Sequence, residues 1–320
     1  MSSDYAAAIV DRKHPAIFTR ETPEEGLRDA SVLVIHSGGY GDTVSLGILV
    51  KLVESRYGAT FGVCCHYEKY RDILVPMGFE GNWIAYPPEA DPLEHYDYVL
   101  SELSKLVNNQ GALVNQPVVS LLAEALGIPY HVNGVQYQVP DMAKRDMLLP
   151  DTKRIRIGIN FDSNSKLRSY PKDLQPMIVE ALSTLGCELF FVGRDSVSES
   201  IDCGHTYIHD YTKRTSITEL AALLDQMDFV LAVDSLTANL SGILGKRTLT
   251  LMSTTGEGVF RHFQSVSSIG SKMECAPCGR VQSNSRCPHG FADCRAFYHS
   301  SIRADIIMKG IIRNLSESFG

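Results

Sequence analysis

No stretch of this chain holds the roughly 18 consecutive apolar residues that a membrane-spanning helix needs, so a helical membrane protein is not expected. The opening residues, Met1-Ser-Ser-Asp-Tyr5, lack the charged segment and apolar core of a secretory leader, and a cytoplasmic protein is the expectation. Positive charge is not in excess either. Thirty Lys and Arg stand against 37 Asp and Glu, a net charge of −7, so attraction to nucleic acid or acidic membrane is not written into the whole surface. Internal repeats and low-complexity tracts are missing, which sets repeat architectures aside. What the chain does have is length and apolar content. At 320 residues and 44% hydrophobic it exceeds the usual single-domain size and can fill sizeable cores, so two domains are expected.

Eight cysteines in a reducing compartment read more readily as metal ligands or small buried side chains than as disulfides. Four of them crowd into twenty residues: Cys275-Ala-Pro-Cys278, then Cys287 and Cys294. A pair two residues apart can face one ion, and Pro277, Gly279, Pro288 and Gly290 supply the turns that fold a knuckle around it. A tetrathiolate iron or zinc site is the leading reading. The gap between Cys287 and Cys294 is not the repeated spacing of a zinc ribbon, and His289 or His299 is an alternative ligand. Disulfides and unconnected thiols are the remaining alternatives. Cys64, Cys65, Cys187 and Cys203 lie in or near apolar segments and read as core or neutral positions.

Periodicity gives an alternation of strands and helices. Ser31-Val-Leu-Val-Ile-His36 reads as a strand, Ser37 to Asp42 as a glycine loop, and residues 43–57 as a helix. Thr60 to His66 is a second strand, Val118 to Leu126 a helix, and Tyr130 to Val132 another strand. After the polar, proline-marked stretch to Asp151 the alternation restarts. Strands are expected at Arg154–Phe161, Cys187–Val192, Phe229–Val233 and Thr248–Leu251, with helices at 172–185, 216–227 and 236–244. Such alternation marks parallel sheets covered on both faces. The boundary falls near residue 150, giving domains 1–150 and 151–320. Ile302, Ile306, Ile307, Ile311, Leu315 and Phe319 suggest a terminal amphipathic helix. Open α/β sheets bind ligands at strand C-terminal ends, so a cleft between the two domains is the expected active site.

Several loops on those ends could carry chemistry. Gly38-Gly-Tyr-Gly41-Asp42 follows the first strand and is neither a dinucleotide fingerprint nor a Walker loop. Its glycines let backbone approach a ligand, while Asp42 is either functional or a first-turn helix acid. Lys166 and Arg168 lie on the loop after the strand at 154–161, where they could neutralise a diphosphate or simply be solvated. Asp234 and Ser235 follow a strand apolar enough to be buried. Ser235 or Thr237 could cap the next helix while free amides bind phosphate oxygens. Gly193-Arg194-Asp195 and the hydroxyl-rich Ser253-Thr-Thr255-Gly256 end on the same edge.

These segments together resemble glycosyltransferase family nine, the bacterial heptosyltransferases of GT-B fold, from about residue 31 to the C-terminus. Gly41-Asp42 matches the family's Gly-Asp after the first strand, and Thr43-Val44 follow it. Arg168-Ser-Tyr170-Pro171 stands at the spacing of Lys-x-Trp-Pro. Asp234-Ser-Leu-Thr-Ala-Asn-Leu240 stands for Asp-Thr-Gly-x-x-His-Leu. Departures are Arg for Lys, Leu236 and Asn239 for Gly and His, and Ser253-Thr254-Thr255 for Gly-Pro-Thr. The cysteine knuckle looks like that of the autotransporter heptosyltransferases, which bind iron through four cysteines. The resemblance implies two facing Rossmann-like domains, the first for acceptor and the second for nucleotide-sugar donor, with the metal segment 275–294 and the terminal helix in the second. It implies an inverting transferase, needing no catalytic metal, that moves a heptose-type sugar from a nucleotide-diphosphate donor to a hydroxyl of a glycan or protein. Asp42 would be the base and Arg168 would stabilise the diphosphate. Gly41, Thr43, Lys166, Gly193, Asp234, Ser235, Thr237 and Thr255 would bind donor, and Cys275, Cys278, Cys287 and Cys294 would hold metal. Hydroxymethylated DNA is an alternative acceptor, with Arg280, Arg286 and Arg295 as a basic patch, although the acidic chain disfavours nucleic acid. A non-catalytic, metal-structured binding protein is the rival reading, and a homo-oligomer is compatible with either.

Overall fold

The computed structural model describes residues 16–17, 24–65, 68–86, 95–101, 114–125, 128–129, 134–195, 201, 207–281 and 284–316. The chain divides into two compact units, one formed by Met1–Ala112 with Val118–Gln138, the other by Leu113–Pro117 with Val139–Gly320.

The first unit holds a five-stranded sheet of β1 (Ala16–Ile17), β2 (Ser31–His36), β3 (Thr60–Cys65), β4 (Asn82–Ala85) and β5 (Tyr98–Ser101), ordered β1-β5-β2-β3-β4 and parallel throughout. Its main helix, α1 (Tyr40–Tyr57), starts inside the glycine loop, three residues earlier than periodicity suggests. The short α2 (Arg71–Leu74) and α3 (Val118–Ala125) both pack on it. Leu33, Cys64 and Val99, side by side on three strands, form one core cluster. The strand expected at 130–132 and Cys203 lie outside the described residues.

The second unit has α4 (Asp141–Asp146) followed by β6 (Arg156–Asn160), α5 (Gln175–Thr184), β7 (Glu188–Phe191), β8 (Ile208–Asp210), α6 (Ile217–Asp225), β9 (Phe229–Val233), α7 (Leu236–Ile243), β10 (Thr248–Met252), β11 (Val266–Gly270) and α8 (Ala304–Ser316). The strand order is β11-β10-β9-β6-β7-β8, again all parallel. Ranked within the unit and read from the β8 edge this is 3-2-1-4-5-6, the doubly wound order, whose direction reverses between β6 and β9.

Every residue of β9 and β10 is buried, as strands covered on both faces require. On one face Ile157, Ile159, Leu189, Phe191, Leu231, Val233, Leu249 and Leu251 share a core with Ile178 and Leu182 of α5 and Ile307 and Ile311 of α8. Full burial of each such side chain stabilises by about 1.5–3 kcal/mol, which is why the C-terminal helix, although exposed on its other side, belongs to this unit. Among the described residues no helix is long and apolar enough to cross a membrane.

The helix termini follow local chemistry. Ser216 caps α6 by accepting from the Glu219 amide while the Glu219 carboxylate accepts from the Ser216 amide, a complete capping box. A short segment that precedes α3 in sequence is bound into the second unit: the Gly256 amide donates to the Val114 carbonyl, and the Gly258 amide to Asn115 Oδ1 at 2.8 Å.

Candidate functional site

In the first unit the loop after β2 is fixed mainly by contacts between close neighbours in sequence, with Tyr70 reaching it from farther along the chain. The Asp42 carboxylate is on the exposed third residue of α1, and its Oδ2 accepts from the Gly39 amide at 2.7 Å. The first-turn role is therefore real, with the carboxylate set beside the positive end of the helix. Thr43 is buried. Its hydroxyl lies 3.0 Å from the Gly39 carbonyl, to which it donates, and 2.9 Å from His36 Nε2. Burial lowers the pKa of His36 to about 4, so the ring is neutral at physiological pH. Tyr70, packed against the His36 ring, donates its hydroxyl to the Gly38 carbonyl at 2.6 Å. Gly38 admits this arrangement because a Cβ there would stand 2.8 Å from the His36 ring and 2.9 Å from Asp42 Cβ. Gly41 lies in the first helical turn, half-buried, and adds no side chain beside Asp42.

In the second unit the predicted residues meet at the strand-order reversal. Asn160 ends β6, and its Oδ1 accepts from the Ser235 hydroxyl at 2.8 Å. Ser235 thus spends its hydroxyl across the sheet and, like Thr237, does not cap α7, whose N-terminus has no side-chain cap. Asn160 Nδ2 donates to Asp162 Oδ1 at 2.7 Å. The other Asp162 oxygen accepts from the amides of Arg194 and Asp195 at 2.8 and 3.3 Å. Burial raises the pKa of this carboxyl, and the Arg194 amide opposes the shift. Gly193 is obligatory beneath it: its φ is +137°, and a Cβ would fall 1.9 Å from Asp162 Oδ1.

Asp234 is 8% exposed and organises the remaining loops. Its Oδ2 accepts from the Thr255 hydroxyl at 2.8 Å and lies 3.3 Å from Arg168 Nη1, while its carbonyl accepts from Ser163 at 3.0 Å. Arg168 also donates from Nη2 to Asn164 Oδ1, and its Nε is buried with no partner among the described residues. A guanidinium so held is fixed in direction. Lys166 is exposed on the same loop, and Thr237 is buried in the first turn of α7. The site so built joins loops from four strands and can hold an anionic, hydroxyl-bearing ligand over the uncapped start of α7.

The four clustered cysteines line one pocket with room for about 20 Å³, the size of a single occupant, together with Leu167, Ser253, Thr254 and His289. Four soft sulfurs around one small space suit a thiophilic ion by donor type. Burial raises the Cys294 pKa to about 11, and the neighbouring Cys278 and Cys275 add to the shift. Even so, among the described residues no three His, Cys, Asp or Glu groups are set together as a metal-ligand cluster. His299 is engaged with Ser301 in a local turn.

The structure therefore brings Arg168, Asp234, Ser235, Gly193 and Thr255 into one network and gathers the four cysteines on one pocket. Asp42, Gly41 and Thr43 lie together in the other unit. Sequence reasoning did not single out Asn160 or Asp162, and it read Ser253 only as part of a hydroxyl-rich loop. The available signal was their position, polar residues at the C-terminal end of a buried strand.

Structures of similar fold put this arrangement in context. E. coli ADP-heptose LPS heptosyltransferase II aligns with a TM-score of 0.68 at 13% identity, covering 91% of this chain and all of that one. The bacterial iron-containing dodecameric glycosyltransferase TibC from enterotoxigenic E. coli aligns with a TM-score of 0.68 at 13% identity, covering 92% of this chain and 77% of that one. A family 9 glycosyl transferase from Veillonella parvula aligns with a TM-score of 0.58 at 13% identity, covering 91% and 99%. At such identities these likenesses establish a shared α/β fold with parallel sheets. No curated protein matches the chain by sequence. The sequence model for glycosyltransferase family 9 (heptosyltransferase) matches residues 97–289, more than half of the chain, including the Arg168, Gly193, Asp234 and Thr255 loops of the second unit but neither the Asp42 loop nor Cys294, and so the chain belongs to that family and is a glycosyltransferase.

Proposed function

We propose that the protein is an inverting glycosyltransferase of GT-B type that takes a heptose-type sugar from a nucleotide-diphosphate donor and places it on a hydroxyl of a glycan or protein. The observation that carries this reading is the network at the strand-order reversal of the second unit, where Arg168, Asp234 and Thr255 converge beside the open start of α7. Support for the donor class comes from WaaC of E. coli, whose structures hold ADP and ADP-2-deoxy-2-fluoro heptose, and from TibC in complex with ADP-D-beta-D-heptose.

In this reading Asp42 accepts the proton of the acceptor hydroxyl as its oxygen attacks the anomeric carbon. The bond from that carbon to the diphosphate breaks on the opposite face, and the electron pair leaves with the nucleoside diphosphate. A positioned carboxylate base contributes about 10²–10⁴-fold. The diphosphate gathers charge as it departs, and Arg168, assisted by Lys166 and the α7 amides, meets that charge without requiring a metal. Asp234 aims Arg168 and faces the sugar and ribose region, with Ser235, Thr237 and Thr255 completing the donor side, Gly193 admitting the loop, and Gly41 and Thr43 holding the base loop.

The acceptor half is the unit of residues 1–112 with 118–138 and the donor half that of 113–117 with 139–320, in place of one boundary near residue 150. Within the latter Cys275, Cys278, Cys287 and Cys294 would hold one iron or zinc, which would supply structural cross-linking and no reaction step. TibC's dodecamer supports a homo-oligomer, which light scattering tests.

Thermal shift and hydrolysis assays with ADP, UDP, GDP and their sugars test the donor assignment. At one hundred times the dissociation constant a true ligand adds about 2.7 kcal/mol of apparent stability. Absence of any shift or hydrolysis across the panel overturns it. About one metal per chain in purified protein, and a lower melting temperature for Cys278→Ser, are expected of the knuckle. Substoichiometric metal with a wild-type-like variant would reduce these residues to ordinary thiols.

A further inference from the structure

The segment Ser253-Thr254-Thr255 touches three things at once. The buried Ser253 hydroxyl donates to the carbonyl of Leu167, the residue before Arg168, at 2.8 Å, and it lies within hydrogen-bond reach of the Cys294 thiol. The Thr254 carbonyl accepts from the amide of Gly279, directly after Cys278, at 2.8 Å. The Thr255 hydroxyl holds the Asp234 carboxylate that aims Arg168. Leu167, Ser253 and Thr254 are themselves walls of the cysteine pocket, so its lining and the back of the Arg168 loop are the same atoms.

We propose that Ser253 is a positioning residue that couples the cysteine knuckle to the donor site: holding Leu167 from behind, it makes the order of residues 275–281 and the affinity of the Arg168 loop for a nucleoside diphosphate depend on each other. This rests on the donor-site reading above. Ser253 touches neither diphosphate nor sugar in this role. Its effect passes through a main-chain carbonyl adjoining the cation. Coupling of this kind is reciprocal, so a diphosphate bound at Arg168 must order the knuckle to the same degree that an ordered knuckle favours binding.

The test uses the full-length protein as purified, with amide hydrogen exchange read by mass spectrometry. ADP, UDP and GDP are first ranked by melting-temperature shift, and no shift with any of them overturns the donor reading and the coupling with it. With the nucleotide that binds, exchange should slow in peptides covering 164–171 and also in those covering 275–281. Protection confined to 164–171 and 234–237 overturns the coupling while leaving the donor site standing. In Ser253→Ala the knuckle protection should disappear and the dissociation constant should rise about three- to tenfold, the loss of one buried hydrogen bond. KM for donor should rise more than kcat falls, and Ser253→Thr, which keeps the hydroxyl, should recover most of the affinity. If Ser253→Ala does not fold, the wild-type exchange pattern alone decides.

Discussion

The two candidate loops are held in opposite ways. In the first unit most of the described bonds that set the Asp42 loop span three to seven residues, joining Gly39 to Asp42, Thr43 to Gly39 and His36 to Thr43. In the second unit the bonds that set Arg168 and its surroundings join Ser163 to Asp234, Asn160 to Ser235 and Leu167 to Ser253, separations of 71, 75 and 86 residues. The Asp42 loop is largely a local motif of strand, loop and helix, with Tyr70 fastening it from farther along the chain. The Arg168 edge exists only once four strands have paired in register, so its geometry is a property of the whole sheet.

The largest expected effect tests the local side. Asp42→Asn preserves the shape and the helix N-terminus but cannot take a proton, so turnover should fall about 10²–10⁴-fold with nucleotide affinity changed only a few-fold. Steady-state kinetics beside calorimetric titration check it, and wild-type turnover removes Asp42 from the reaction. On the distributed side Gly193→Ala should cost about 3 kcal/mol, because a Cβ at φ +137° meets the Asp162 carboxylate. Gly38→Ala meets the His36 ring and Asp42 Cβ but carries no positive-φ penalty, and should cost less stability than Gly193→Ala. Chemical denaturation of the pair measures the contrast.

Arg168→Ala should weaken nucleotide binding and turnover together by about ten- to a hundredfold, because a fixed cation serves ground and transition states and its loss strands Asp234. If Lys166→Ala has the larger effect, Lys166 is the principal phosphate ligand.

The smallest effect concerns acid. Each unit buries one histidine whose pKa burial lowers to about 4, His36 in the first and His262 in the second. Both are neutral in the fold. Their stabilising contribution is complete above the unfolded value near 6.5 and is lost as pH falls from there towards 4, at most about 2 kcal/mol per site by pH 5. Melting temperature should therefore drop between pH 7 and 5. His36→Gln should remove part of the drop and His262→Gln another part, and an undiminished drop in the double variant refutes the assignment.

This contrast also explains what was legible beforehand. The α/β class and the main strands of both sheets could be read because buried β-branched runs such as Phe229–Val233 and helical spacing in Ile217–Asp225 are local signals. Several outer strands were not read: Tyr98–Ser101, next to the β1 edge, and the edge strand Ile208–Asp210 are too short to show a period, and the edge strand Val266–Gly270 is half-buried and serine-rich. Arg168 and Asp234 were found as residue types at strand ends, but their pairing was not, because no sequence pattern specifies a contact across 66 residues. Either Ser235 or Thr237 could have capped α7, yet the fold gives Ser235 an acceptor in Asn160 instead.

Finally, the chain passes between the two units three times, at residues 112–113, 117–118 and 138–139. The second unit is therefore not one contiguous stretch of gene. A fragment beginning at residue 139 would encode every strand of the six-stranded sheet and still lack Val114 and Asn115, the strap whose oxygens hold the amides of Gly256 and Gly258 beside Thr255. Dissection of this enzyme into halves has to graft residues 113–117 back onto the donor piece, and swapping its second half with that of another family member exchanges a site minus one of its fastenings.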